Sequence, residues 1–122
     1  MLNFVIIGCG RISHKIVDGI VNNKEKAKLV GVSDIVFSKM DEIEFEYQNK
    51  INSKETIVKK ENYKELLESI SVDVAIISTE SGYHEEIGLY FLENGVNVII
   101  EKPLAMSIEG ARKLVDTAKK NN

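Results

Sequence analysis

The chain opens with Leu2-Asn3-Phe4-Val5-Ile6-Ile7, runs into Gly8-Cys9-Gly10, and continues as Arg11-Ile12-Ser13 with a helical pattern behind it. A run that is apolar on both faces suits a strand buried inside a parallel sheet. Glycines at its end allow a tight turn into a helix, and the exposed N–H groups at a helix N-terminus attract phosphate. In this reading Gly8 makes the turn and Gly10 lets the backbone come close to a pyrophosphate. The pattern is G-x-G-x-x-S: Ser13 stands where the dinucleotide fingerprint has Gly or Ala. Taken alone, two glycines after a strand can also be a plain turn, so the rest of the chain has to decide.

Beyond the glycines, apolar runs alternate with amphipathic segments. Ile12, Ile16 and Ile20 recur at helical spacing with Val17 and Val21 beside them, which predicts a helix over residues 11–22. His14 lies off this stripe and is expected to be a solvated surface residue. Cys9 reads as a small loop residue rather than a reactive thiol. Residues 28–33 form a second strand ending at Asp34, about twenty-odd residues past the glycines, where a dinucleotide-binding unit places a carboxylate for the adenosine ribose. Ile35 and Val36 follow it instead of a cation, which favours NAD over NADP, although Lys39 is near in sequence. Met40, Ile43 and Tyr47 predict a helix over residues 38–47, while the alternation of Glu42 to Tyr47 leaves a strand open.

A short third strand is expected at residues 56–58, a helix at 63–70 capped by Asn62, and a fourth strand at 72–78. The loop Thr79-Glu80-Ser81-Gly82-Tyr83-His84 leads into a helix reaching Asn94, with Gly95 as its C-terminal cap. The fifth strand spans residues 97–100, Glu101-Lys102-Pro103 comes next, and a last helix starts after Ser107 and ends near Lys120. Strands and helices in this alternation specify an α/β protein: one domain with a doubly wound parallel sheet covered on both faces, hence three layers. Ligands of such sheets lie across the carboxyl ends of the strands. Gly10, Asp34, Thr79, His84 and Lys102 all fall at that edge.

Composition narrows the function classes. The 122 residues carry a net charge of −3 with no basic stripe, so no nucleic-acid partner is expected. No apolar run is long enough to span a bilayer, and Met1 leads directly into the first strand, so neither a membrane span nor a signal peptide is expected. A single cysteine fits a reducing, cytoplasmic setting, and no metal is expected.

Gly8-Cys9-Gly10-Arg11-Ile12, the strand ending in Asp34, Val72 to Thr79, His84 and above all Val98-Ile99-Ile100-Glu101-Lys102-Pro103-Leu104-Ala105 resemble the N-terminal domain of the Gfo/Idh/MocA oxidoreductases, over essentially the whole chain. The resemblance implies a Rossmann-type domain. It also implies hydride transfer between NAD and a secondary alcohol of a sugar, cyclitol or nucleotide sugar, with polysaccharide biosynthesis as one setting. It puts Gly8, Gly10, Arg11 and Ile12 at the pyrophosphate, Asp34 at the ribose, and Ser78, Thr79 and His84 along the middle of the cofactor. Glu101 and Lys102 fall at the nicotinamide end, with Lys102 catalytic, its ammonium stabilising alkoxide charge within a proton relay.

Two features depart from the family pattern. Glu80 stands where the family usually has Pro; it either changes substrate contacts or faces water while the loop holds the dinucleotide through its backbone. The chain also lacks the C-terminal substrate domain of family enzymes, so it reads as residues 1–122 of a cofactor domain cut from a longer enzyme, with little turnover of its own. The fifth strand then presents an open apolar edge, and self-association is expected. A different class of function, a stand-alone nucleotide sensor without catalysis, is less suited to a chain that keeps Glu-Lys-Pro. A purely structural flavodoxin-like domain leaves the five converging positions unexplained.

Overall fold

The computed structural model describes residues 1–102 and 104–121; Pro103 of the Glu-Lys-Pro segment and Asn122 lie outside the described residues. Five strands, β1 (Leu2–Ile7), β2 (Ala27–Ser33), β3 (Val58–Lys60), β4 (Val74–Ile77) and β5 (Asn97–Ile100), form one parallel sheet in the order β3-β2-β1-β4-β5. The helices are α1 (Arg11–Asn22), α2 (Phe37–Ile51), α3 (Leu66–Ser69), α4 (His84–Glu93) and α5 (Ile108–Asn121). Because the order reverses at β1, the crossovers through α1 and α2 cover one face and those through α3 and α4 cover the other.

The pleat of β1 assigns its side chains to those two layers. Ile6 packs with Val17, Ile20, Leu29, Met40 and Ile43 under α1 and α2. Val5 and Ile7 pack with Leu66, Ala75, Ile77, Ile87 and Phe91 under α3 and α4. Burial on both faces explains why the central strands carry no polar alternation. The β1–β2 register slips between Phe4 and Val5, and near the slip the Leu29 amide donates to the Tyr47 hydroxyl at 3.1 Å.

Segment 38–47 is helical, and α2 extends beyond it at both ends. Met40, Ile43 and Tyr47 are buried while Phe45 is 66% exposed, so the helical period wins over the alternating one. The third strand lies at 58–60, later than expected, where Gly31, Val32 and Ser33 of β2 pair with it. The expected helix over 63–70 is a 3-10 turn, Tyr63–Glu65, followed by the single turn of α3. Ile70 is already extended there, because the chain must soon enter β4. The caps fall as expected. Asn62 Oδ1 accepts from the Lys64 amide, Ser107 Oγ accepts from the Gly110 amide, each at 3.0 Å, and Gly95 takes φ +77 after α4. His14 is half exposed but not simply solvated: its Nδ1 pairs with Glu46 of α2.

Candidate functional site

The carboxyl ends of β1, β2 and β4 meet around Gly8. Its φ of +94° is a left-handed conformation that favours glycine. A side chain there would have its Cβ 2.8 Å from the Thr79 amide nitrogen and 2.9 Å from the Ser78 carbonyl carbon, so only glycine lets β1 turn against β4. Hydrogen bonds lock the turn from both sides. The Gly8 amide donates to the Ser33 carbonyl at 2.8 Å, and Ser78 Oγ donates to the Gly8 carbonyl at 2.7 Å. Gly10 is the N-cap of α1, and a Cβ built on it meets nothing within 4 Å, so open space lies over the start of the helix. Ser13, the off-pattern position, is fully buried and turns its hydroxyl back onto the Gly10 carbonyl. A small side chain with its polar atom satisfied replaces the usual Gly or Ala without opening the turn.

Asp34 stands at the end of β2. Its Oδ2 accepts from the Cys9 amide at 2.7 Å and its Oδ1 from the Val36 amide at 2.8 Å. Cys9 is buried, and burial first, then the charge of Asp34, pushes its thiol up to about 12, with Lys39 pulling the other way. It is a neutral loop residue, as the sequence suggests.

A cleft of about 590 Å³ lies over these strand ends, a volume in the range of small-molecule and cofactor sites. Of the residues singled out from the sequence, Gly8, Gly10, Asp34, Ser78 and Thr79 line it. Arg11 and Ile12 sit at the start of α1, outside the lining. Glu101 and Lys102 are exposed beyond the end of β5, where the Glu101 amide donates to the Ile77 carbonyl at 2.9 Å. They share the sheet edge with the cleft but not its wall.

His84 lies apart from the cleft wall. Expected along the cofactor, it is 1% exposed and outside the cleft lining, with Nε2 donating to the Thr79 carbonyl at 2.9 Å. As the first residue of α4 it packs beneath the loop and reaches the cleft through Thr79. Glu80 does line the cleft. Its φ of −60° and ψ of 145° are those a proline would adopt, so the departure changes the charge and keeps the path of the backbone. Sequence reasoning missed Tyr63, Tyr83 and Glu86, which complete the wall. Tyr63 and Tyr83 come from 3-10 turns and Glu86 from the first turn of α4, and the signals available were the Asn62 cap and the loop before α4. Among the described lining residues Lys39 is the one cation, against Asp34, Glu61, Glu80 and Glu86.

A doubly wound sheet whose first strand turns through obligatory glycine at the reversal point, with an acid at the end of the second strand, is a dinucleotide-binding domain. The chain belongs to the Gfo/Idh/MocA family, described as an oxidoreductase family with an NAD-binding Rossmann fold, and residues 2–122 match it. D-glucoside 3-dehydrogenase of Escherichia coli K12 is 29% identical over 119 residues, which cover 98% of this chain and 32% of that protein. A glycosyl hydrolase family 109 protein of Shewanella woodyi is 38% identical over 58 residues, 48% of this chain and 12% of that protein. The structure is similar to that of the WlbA dehydrogenase from Bordetella pertussis, crystallised with NADH and UDP-GlcNAcA. The TM-score is 0.81 at 22% identity, over 98% of this chain and 34% of that one. The chain thus spans about a third of the length of the relatives it matches from end to end. No helix among the described residues is long and apolar enough to cross a membrane.

Proposed function

We propose that this chain is the cofactor-binding part of an NAD-dependent dehydrogenase acting on a secondary alcohol of a sugar, cyclitol or nucleotide sugar. The observation that carries the proposal is the cradle at Gly8 and Gly10. One glycine is fixed at positive φ against β4, the other leaves open space over a helix N-terminus, and Asp34 stands beside them. These residues fit a dinucleotide. NAD, when bound, would supply or accept the hydride.

The chain's own residues divide the work of holding it. Gly8, Gly10, Arg11 and Ile12 offer backbone and helix dipole to the pyrophosphate. Asp34 takes the ribose hydroxyls. Ser78 and Thr79 bound the middle of the cleft, and His84 holds Thr79 from below. Glu101 and Lys102 stand at the nicotinamide end, where the Lys102 ammonium moves a proton to or from the substrate oxygen. Acids outnumber the single cation of the described lining, which supports NAD over NADP: a 2′-phosphate would meet Asp34 first.

The names of the relatives, a glucoside dehydrogenase, a glycosyl hydrolase family and an enzyme crystallised with a nucleotide sugar, support a sugar-like substrate. The chain covers about a third of the end-to-end relatives, which supports assigning the substrate half and most of the turnover to sequence outside these residues. The single cysteine, buried as a thiol, fits the cytoplasm. In an enzyme carrying this chain and a substrate domain, Lys102→Ala lowers turnover by about 10²-fold or more, the worth of a positioned acid or base. NAD affinity stays within a few fold. A variant that loses NAD binding instead takes Lys102 out of the catalytic role.

A further inference from the structure

A loop built on two glycines has more conformational freedom to lose on folding than any other. Here no packing surrounds Gly10, where a Cβ would meet no atom within 4 Å, and the Ser13 hydroxyl holds only its carbonyl. Ser13 and Ser78 hold carbonyls of the loop, and its amides at Gly8 and Cys9 are held from the end of β2. The Cys9 amide, between the two glycines, is spent on Asp34 Oδ2 at 2.7 Å, while Oδ1 holds the Val36 amide at 2.8 Å. The neighbouring Gly8 amide is held by the Ser33 carbonyl at 2.8 Å. Asp34 therefore ties two backbone segments together with both carboxylate oxygens, and bonds from N–H groups to a charged acceptor are the strong kind.

We propose that Asp34 is a positioning residue for the glycine loop in addition to its contact with ribose. Through the Cys9 and Val36 amides it sets the shape of the turn, so the phosphate end of the cleft depends on the residue at its ribose end. The inference rests on the dinucleotide reading of the cleft. Removing the carboxylate then weakens ligands that have no adenosine ribose at all.

The test uses NAD and nicotinamide mononucleotide, which has a phosphate but no adenosine ribose, titrated into the chain and followed by amide chemical shifts. Asp34→Ala weakens nicotinamide mononucleotide about tenfold, the scale of one hydrogen bond to a charged group. It also speeds hydrogen exchange at the Cys9 and Val36 amides, while Val5 and Ile6 inside β1 keep their protection. Asp34→Asn, with one oxygen left to accept one of the two amides, falls between. Unchanged mononucleotide affinity alongside weakened NAD, or unchanged exchange at Cys9, overturns the proposal and leaves Asp34 a ribose contact alone. If the parent chain binds neither ligand, the dinucleotide reading falls, and exchange still decides the strut: faster exchange at Cys9 in Asp34→Ala upholds it, unchanged exchange overturns it.

Discussion

Gly8 carries the site's geometry at the scale of a single residue. Its positive φ and the backbone atoms of Ser78 and Thr79 act together, because a Cβ would strain the conformation and also strike main chain that no rotamer change can move. Gly8→Ala is expected to lower stability by about 1–3 kcal/mol, read from urea unfolding, and to weaken NAD binding under conditions where the variant remains folded. An alanine variant as stable as the parent that binds NAD equally well contradicts the assignment. Which side of a residue faces the cleft was harder to read. His84 comes after a loop at the right sheet edge, and a linear pattern does not distinguish a ring turned into a cleft from one turned beneath it. Asp34 was legible as an acid at a strand end. That both its oxygens are engaged by amides depends on how the chain folds back at Cys9 and Val36, which spacing does not encode.

At the scale of elements, long periodic segments were legible and short or competing ones were not. The isoleucine stripe of α1 and the continuous apolar runs of β1, β2, β4 and β5 appear where the pattern places them. In α2 two periods competed, and burial of Met40, Ile43 and Tyr47 decided the outcome. α3 is shorter than its pattern because Gly31 brings β2 close to Leu66 and Ile70, and the chain must then extend into β4. The α1–α2 pair also carries an ionic network that the sequence does not announce, since its members are 32 residues apart. Glu46 accepts from Lys50 at 2.9 Å and pairs with His14, and Lys50 also pairs with Asp18. Burial alone would raise the Glu46 carboxyl, but the hydrogen bonds from Lys50 and His14 outweigh it and hold it below its ordinary value. Folding thus favours the ionised form. Its contribution is complete above the unfolded value and is lost as pH falls through the lowered one. Glu46→Gln is expected to cost about 1 kcal/mol or less at pH 7, with the gap to the parent closing as the pH drops below about 4. A gap that persists in acid contradicts the ionic account.

On the scale of the whole molecule, the sheet is asymmetric. β3 at one edge is three residues long, but β5 at the other edge presents Ile99, 54% exposed, in a four-residue strand. Met106 and Ile108, a few residues further along the chain, are 72% and 79% exposed. An open apolar edge pairs readily with another strand. The chain is expected to self-associate as its concentration rises, and Ile99→Lys to shift light scattering back towards the monomer mass. A parent that stays monomeric at high concentration contradicts this. The same asymmetry separates the cleft, built over β1, β2 and β4, from Glu101 and Lys102 beyond β5. Cofactor binding is the property proposed for this chain's own cleft. Calorimetric titration of the chain with NAD, and separately with NADP, tests that claim most directly. The account predicts saturable NAD binding at one site, weaker binding of NADP, and loss of NAD affinity in Gly8→Ala and Asp34→Ala. A folded chain that binds neither nucleotide, or that binds NADP the more tightly, contradicts it.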